Sequence, residues 1–158
     1  MKCAIAAWFA SLLILAGCRT PGRDYMPVAA RFFLEAASGQ GSGVVLPQSG
    51  VQLTLSPKPV VTEFDLVDVQ EVQVELGRCL MFRVTTAAAR DLYRLTASNQ
   101  GRRLVLLLNG VALGARRIDG PFEEGVILIF VEAPDRELAE LARNLRATSA
   151  EVQRTAGR

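Results

Sequence analysis

Apolar and polar positions alternate along most of this chain, and the interruptions divide it into elements. Within residues 28–37 the run Phe32-Phe33-Leu34 suits a first strand or a short helix; periodicity does not separate them, and the strand is preferred. Residues 38–59 carry four glycines and three prolines and read as loop, with Val51, Leu53 and Leu55 alternating as an edge strand would. Phe64, Leu66, Val72, Val74 and Leu76 then alternate with acids and amides, as in a half-buried strand pair or one long bent strand. After the break at Gly77-Arg78, Leu80, Phe82 and Val84 mark another strand. Thr85 and Thr86 offer hydroxyls that cap a helix, Ala88, Leu92 and Leu95 fall at helical spacing, and Gly101 stops it, which predicts a helix over residues 87–99.

Asn109-Gly110 between two apolar runs is the strongest local signal, because a two-residue type I′ turn needs positive φ twice. Without a bulge the hairpin pairs Leu108 with Val111, Leu107 with Ala112, Leu106 with Leu113, Val105 with Gly114 and Leu104 with Ala115. That register sets Arg103 opposite Arg116 and Arg102 opposite Arg117. Residues 125–131 (GVILIFV) are apolar on both faces, as in a central strand covered from both sides. Pro134 at a first helical position, the acids Asp135 and Glu137, and the stripe Leu138, Leu141, Ala142, Leu145 predict a second helix ending near Arg146. Residues 148–158 read as a polar, frayed tail.

The start of the chain concerns location. Lys2 is followed by a run from Cys3 to Gly17 that is apolar apart from Ser11, and Leu15-Ala16-Gly17-Cys18 closes it with small residues before a cysteine. This resembles the lipobox of bacterial lipoproteins, and the run is too short for the about 20 residues of a membrane span. The resemblance implies a signal peptide over residues 1–17, lipid on Cys18 as the first mature residue, and a membrane anchor. Residues 18–27, with two prolines and scattered charge, read as a flexible tether to one domain over residues 28–147. Arg19 stands where an Asp would signal retention in the inner membrane, so the outer membrane is the expected sheet.

Composition then removes function classes. Once Lys2 leaves with the signal, 17 basic residues face 16 acidic ones, so no long-range steering of nucleic acid is expected. Cys79 alone remains after Cys3 is removed and Cys18 is lipidated, so no intrachain disulfide forms. The chain has no histidine, which takes away the commonest general base and metal ligand; neither metal nor cofactor is expected.

In residues 72–146 the order strand, helix, hairpin, strand, helix resembles the periplasmic head domain of SecD and SecDF, subunits of the protein-export machinery. The residues that carry it are 96–101 (TASNQG), the apolar strand 102–108, the turn Asn109-Gly110, Gly114-Ala115 with Ile118, Gly125, and the Leu-rich 138–145. Asn109 replaces the family's usual Asp, and Arg116 stands where the family prefers Pro. The resemblance implies an α+β fold, an antiparallel sheet with two helices packed on one face. It does not imply proton-driven export, which belongs to the family's transmembrane helices.

Cys79 reads as a small strand hydrophobe. Glu63, Asp65, Asp68, Glu71 and Glu75 read as the solvated side of a strand in preference to paired catalytic carboxylates or a calcium site. Arg102, Arg103, Arg116 and Arg117 are the candidate binding residues, an anion contact at the open end of the hairpin, with Asp119, Glu123 and Glu124 close enough in sequence to neutralise them instead. The face of Val105, Leu107 and Ala112 carries apolar surface for an envelope protein or an unfolded chain, unless the glycine-rich N-terminal half or a second copy in a homodimer covers it. The expected function is a lipid-anchored, non-enzymatic binding module of the cell envelope, accessory to export or envelope assembly; the alternative is an enzyme using carboxylates and arginines.

Overall fold

The computed structural model describes residues 24–37 and 41–156. Asn109 and Gly110 both take positive φ, 48° and 86°, and close a hairpin of two strands, Arg103–Leu108 and Val111–Arg117. Leu108 faces Val111 and Leu107 faces Ala112 as expected. A bulge between Leu106 and Leu107 then shifts the register, so that Leu106 faces Gly114, Val105 faces Ala115, Leu104 faces Arg116 and Arg103 faces Arg117. The expected pairing of Arg103 with Arg116 and Arg102 with Arg117 is thereby overturned. The extra residue is Leu113, whose carbonyl accepts a 2.6 Å bond from the Glu132 amide outside the hairpin.

In chain order the elements are β1 (Ala30–Glu35), β2 (Ser42–Val45), β3 (Gln52–Val61), β4 (Leu66–Val74), β5 (Gly77–Val84), α1 (Thr86–Ser98), β6 (Arg103–Leu108), β7 (Val111–Arg117), β8 (Val126–Ile129) and α2 (Asp135–Ala156). The fold is α+β, with the antiparallel strands divided between two sheets, one ordered β2-β3-β1-β6-β7 and one β4-β5-β8. Phe32-Phe33-Leu34 is a strand, β1, and it lies between β3 and β6.

Three expectations change. Residues 38–59 supply β2 and most of β3, and β3 lies inside its sheet instead of at the edge. Its prolines are tolerated because β2 accompanies it only from Gln52 to Leu55, so Pro57 and Pro59 stand where one flank has no ladder to interrupt. The apolar run of residues 125–131 gives only the four-residue β8, at a sheet edge, because the chain leaves the ladder after Ile129 to meet β7 through Glu132. The second helix does not end near Arg146 but continues to Ala156.

That extension has a physical cause. Thr148 accepts from the Val28 amide at 3.0 Å, Asn144 accepts from the Met26 amide at 3.4 Å, and the Tyr25 hydroxyl donates to Glu151. Arg146 reaches the Val69 carbonyl and Asp68, and Gln153 reaches the Leu66 carbonyl. Polar positions that read as a tail are thus the sockets for backbone groups of β4 and of the incoming N-terminal segment. Residues 25–28, assigned in part to the tether, are docked on α2.

The core gathers Phe32, Leu104 and Leu106 from the large sheet, Leu66, Leu80, Phe82 and Ile127 from the small one, Leu92 from α1 and Ala142 and Leu145 from α2. Phe32 and Phe82 join the two sheets edge to face, with ring centroids 5.0 Å apart. Replacing Gly110 with Val strains a β-branched residue at φ 86° without any steric contact to confuse the result, and is expected to lower stability by about 1–2 kcal/mol in thermal melts.

Candidate functional site

The two sheets approach each other along β7 and β8, edge to edge. At one end of this seam the contact is tight: a Cβ on Gly114 would lie 2.5 Å from the Phe130 carbonyl oxygen. At the other end the strands diverge, and the gap is an apolar groove of about 540 Å³. Its walls are Val74, Leu76 and Cys79 of the β4–β5 hairpin, Ala115 to Arg117 of β7, and Leu128 to Phe130, with Glu75 at the turn. Leu76 is 86 % exposed and Phe130 is 44 % exposed, large apolar side chains presented to solvent beside a cleft.

Arg116 stands in the divergence. Its Nη1 donates to the Leu128 carbonyl at 2.9 Å, and its guanidinium lies 4.4 Å above the Phe122 ring. Burial draws its pKa below the ordinary value, opposed by the charge of Asp119, and it remains a cation. Cys79 is fully buried beneath the groove; burial pushes its thiol up, with Arg116 pulling the other way, and a neutral thiol is no nucleophile.

The four arginines do not form one cluster. Arg103 is held by Glu35, through a 3.1 Å ion pair and a bond from its own amide, and Arg102 donates to the Glu35 carbonyl and to Asn99. Arg117 pairs with Asp119 at 3.4 Å, both exposed. Only Arg116 and Arg117 line the groove. Glu35, the acid that answers Arg103, gives no local signal, being 68 residues away in sequence.

The acids of residues 63–75 are not simply solvated either. Glu63 is buried and forms a two-bond ion pair with Arg31, Asp65 caps the Thr62 amide, Asp68 pairs with Arg146, and Glu71 with Arg78. Among the described residues no three His, Cys, Asp or Glu side chains are placed to hold a metal ion. The opposite face of the large sheet is closed: Val105 and Ala112 are buried, with Leu107 partly so, under Leu46, Leu53 and Leu55. The glycine-rich N-terminal half covers it, and Glu132 clips the covering loop by accepting from the Gln48 and Ser49 amides. Leu15, Ala16, Gly17 and Cys18 lie outside the described residues.

No family model and no curated protein matches this sequence. The fold is nonetheless similar to part of solved SecDF structures. A crystal structure of SecDF in its super-membrane-facing form superposes with a TM-score of 0.61 at 21 % identity, over 76 % of this chain and 19 % of that one. A structure described as a membrane component SecDF that enhances protein export gives 0.60 at 21 % identity, over 77 % of this chain and 63 % of that one. SecDF of Thermus thermophilus, described as a translocon-associated membrane protein, gives 0.53 at 20 % identity, over 78 % and 20 %. This chain therefore spans about a fifth of two of these proteins and less than two thirds of the third. No helix among the described residues is long and apolar enough to cross a membrane.

The Arg31–Glu63 pair makes one pH prediction. Hydrogen bonding to Arg31 is the main cause holding the Glu63 carboxyl below its ordinary value of 4.5, so the pair's stability is present above that value and is lost as pH falls through the lowered one. Glu63→Gln is expected to cost about 1 kcal/mol at neutral pH, the half-exposed Arg31 screening the rest, and the gap to wild type should close in acid denaturation curves as the pH drops below 4.5.

Proposed function

We propose that this protein is a lipid-anchored component of the bacterial cell envelope whose folded domain binds extended polypeptide, as an accessory to protein export or envelope assembly. The observation that carries the proposal is the groove at the β7–β8 seam, an apolar cleft with two unsheltered hydrophobic side chains at its mouth, on a fold shared with proteins of the export apparatus. Apolar grooves beside a strand edge suit extended chains, which offer side chains to the cleft and backbone to the strand. The face first expected to bind, around Val105, is occupied by the protein's own β2–β3 segment.

A binding role fits the chemistry better than an enzymatic one. The thiol is buried and neutral, and the acids near the groove are divided between Asp119, exposed and paired with Arg117, and Glu75 on the far wall. The alternative enzyme needs Asp119, Glu123 and Arg116 converging in one deep pocket, and of these only Arg116 lines the groove. The lipobox supports the anchor, and Arg19 supports the outer membrane and a periplasmic domain.

Two measurements test this. Cys18→Ala is expected to abolish palmitate labelling and to move the cleaved chain from the membrane pellet to the soluble fraction, since each acyl methylene contributes about 0.8 kcal/mol and little else holds the protein there. A cleaved variant that stays in the pellet removes the anchor. In fluorescence anisotropy, the full chain should bind a permanently unfolded probe, reduced and carboxymethylated α-lactalbumin, and Leu76→Ser should weaken binding about tenfold, as loss of one buried leucine does. Unchanged affinity in that variant places polypeptide binding elsewhere.

A further inference from the structure

We propose that the groove selects extended segments in which apolar residues flank a single carboxylate, and that Arg116 is the residue that reads it. The inference rests on the polypeptide-binding function above and adds the class of segment bound.

The seam itself supplies the first argument. β7 and β8 are joined by the bond from the Glu132 amide to the Leu113 carbonyl and packed at Gly114, yet farther along the Leu128 carbonyl is met by a guanidinium and not by a β7 amide. The edge of β8 thus presents a backbone acceptor filled by a side chain and not by a neighbouring strand. An extended segment entering the groove donates its own N–H to that acceptor, in the manner of an added strand, and releases Arg116.

Charge supplies the second. A guanidinium carries five N–H donors, and Arg116 bonds a neutral carbonyl and faces an aromatic ring, while Asp119, whose charge also acts on Arg116, makes its ion pair with Arg117. A partly desolvated cation with donors to spare beside an apolar wall is complementary to a carboxylate, which it binds through two parallel bonds. Glu75 on the opposite turn opposes a run of acids. The complement is therefore one carboxylate among apolar residues rather than an acidic tract.

The test uses the full chain and labelled peptides of about twelve residues, alternating Leu and Ser and differing only at one central position, Glu, Gln or Lys. The Glu peptide is expected to bind at least about tenfold more tightly than the Gln peptide and the Lys peptide most weakly, with the preference shrinking as salt is raised from about 50 to about 500 mM. In Arg116→Gln the three affinities should fall within about twofold of one another, while Arg117→Gln keeps the order. Because Arg116 also braces Leu128 and Phe122, its loss can loosen the seam; the comparison of three peptides on the unaltered protein does not depend on that variant. Equal binding of the Glu and Gln peptides to wild type overturns the selectivity and leaves polypeptide binding standing. A preference that survives Arg116→Gln, or that Arg117→Gln abolishes, overturns the assignment to Arg116. Failure of all three peptides to bind wild type overturns this inference together with the function it rests on.

Discussion

The missing side chain at position 114 sets how closely the two sheets meet beside the groove. With Phe130 O 2.5 Å from where a Cβ would stand, no residue but glycine lets β7 and the end of β8 come this close. The bulge that lets Leu113 bond to Glu132 lies beside this contact, and it moves every residue after Leu113 by one position in the β6–β7 ladder. Arg116 is thereby opposite Leu104 and directed to β8, where it bonds Leu128. Had the hairpin kept its unbulged register, Arg116 would have faced Arg103; with the bulge that place falls to Arg117 and Arg116 is free to turn to β8.

Two sheets joined by one tight contact need further support, and the chain provides it from distant segments. Phe32 on Phe82 fills the space between the sheets, and α2 lies along β4 with Arg146 and Gln153 bonded to β4 carbonyls. The same helix receives residues 25–28, so the segment that leads into β1 and the last turns of the chain stabilise each other. On the other side the β2–β3 segment covers Val105 and Ala112, and Glu132, one residue after Val131 leaves the seam, holds its loop. With that face closed, Leu76 and Phe130 are the exposed large apolar side chains that stand beside the groove, whereas Met26, Phe64, Val67 and Val111 are exposed elsewhere on the surface.

How much of this is legible without coordinates follows from the range of each interaction. Asn109-Gly110 and Thr85 announce themselves because positive φ and a cap at Ala88 are decided within three residues. The signals of α1 are likewise local, whereas periodicity leaves Phe32-Phe33-Leu34 open between strand and helix, and the α+β class follows from the resemblance over residues 72–146. The prolines of β3 mislead because their tolerance depends on where β2 stops, and Thr148 misleads because its partner is the backbone amide of Val28, 120 residues away. In the site, the arginines were visible as a group but their division was not: it depends on Glu35 reaching Arg103 and on a bulge provoked by a neighbour from another sheet. Leu76 read as one more member of an alternating strand, whereas it sits at the turn where β4 ends.

The division of the arginines also explains why one of them differs in kind. Arg103 and Arg117, opposite each other, would repel, and each is answered by its own carboxylate, Glu35 and Asp119. Such exposed pairs contribute little and ask for no partner. Arg116 is held by a carbonyl and a ring, and Asp119, which acts on it through its charge, makes its ion pair with Arg117 instead. Phe122 covers one side of it, and low-dielectric surroundings focus the field of its charge toward the side left open. That side is the groove, and a carboxylate arriving there gains more from Arg116 than it would from a fully hydrated arginine on the same surface.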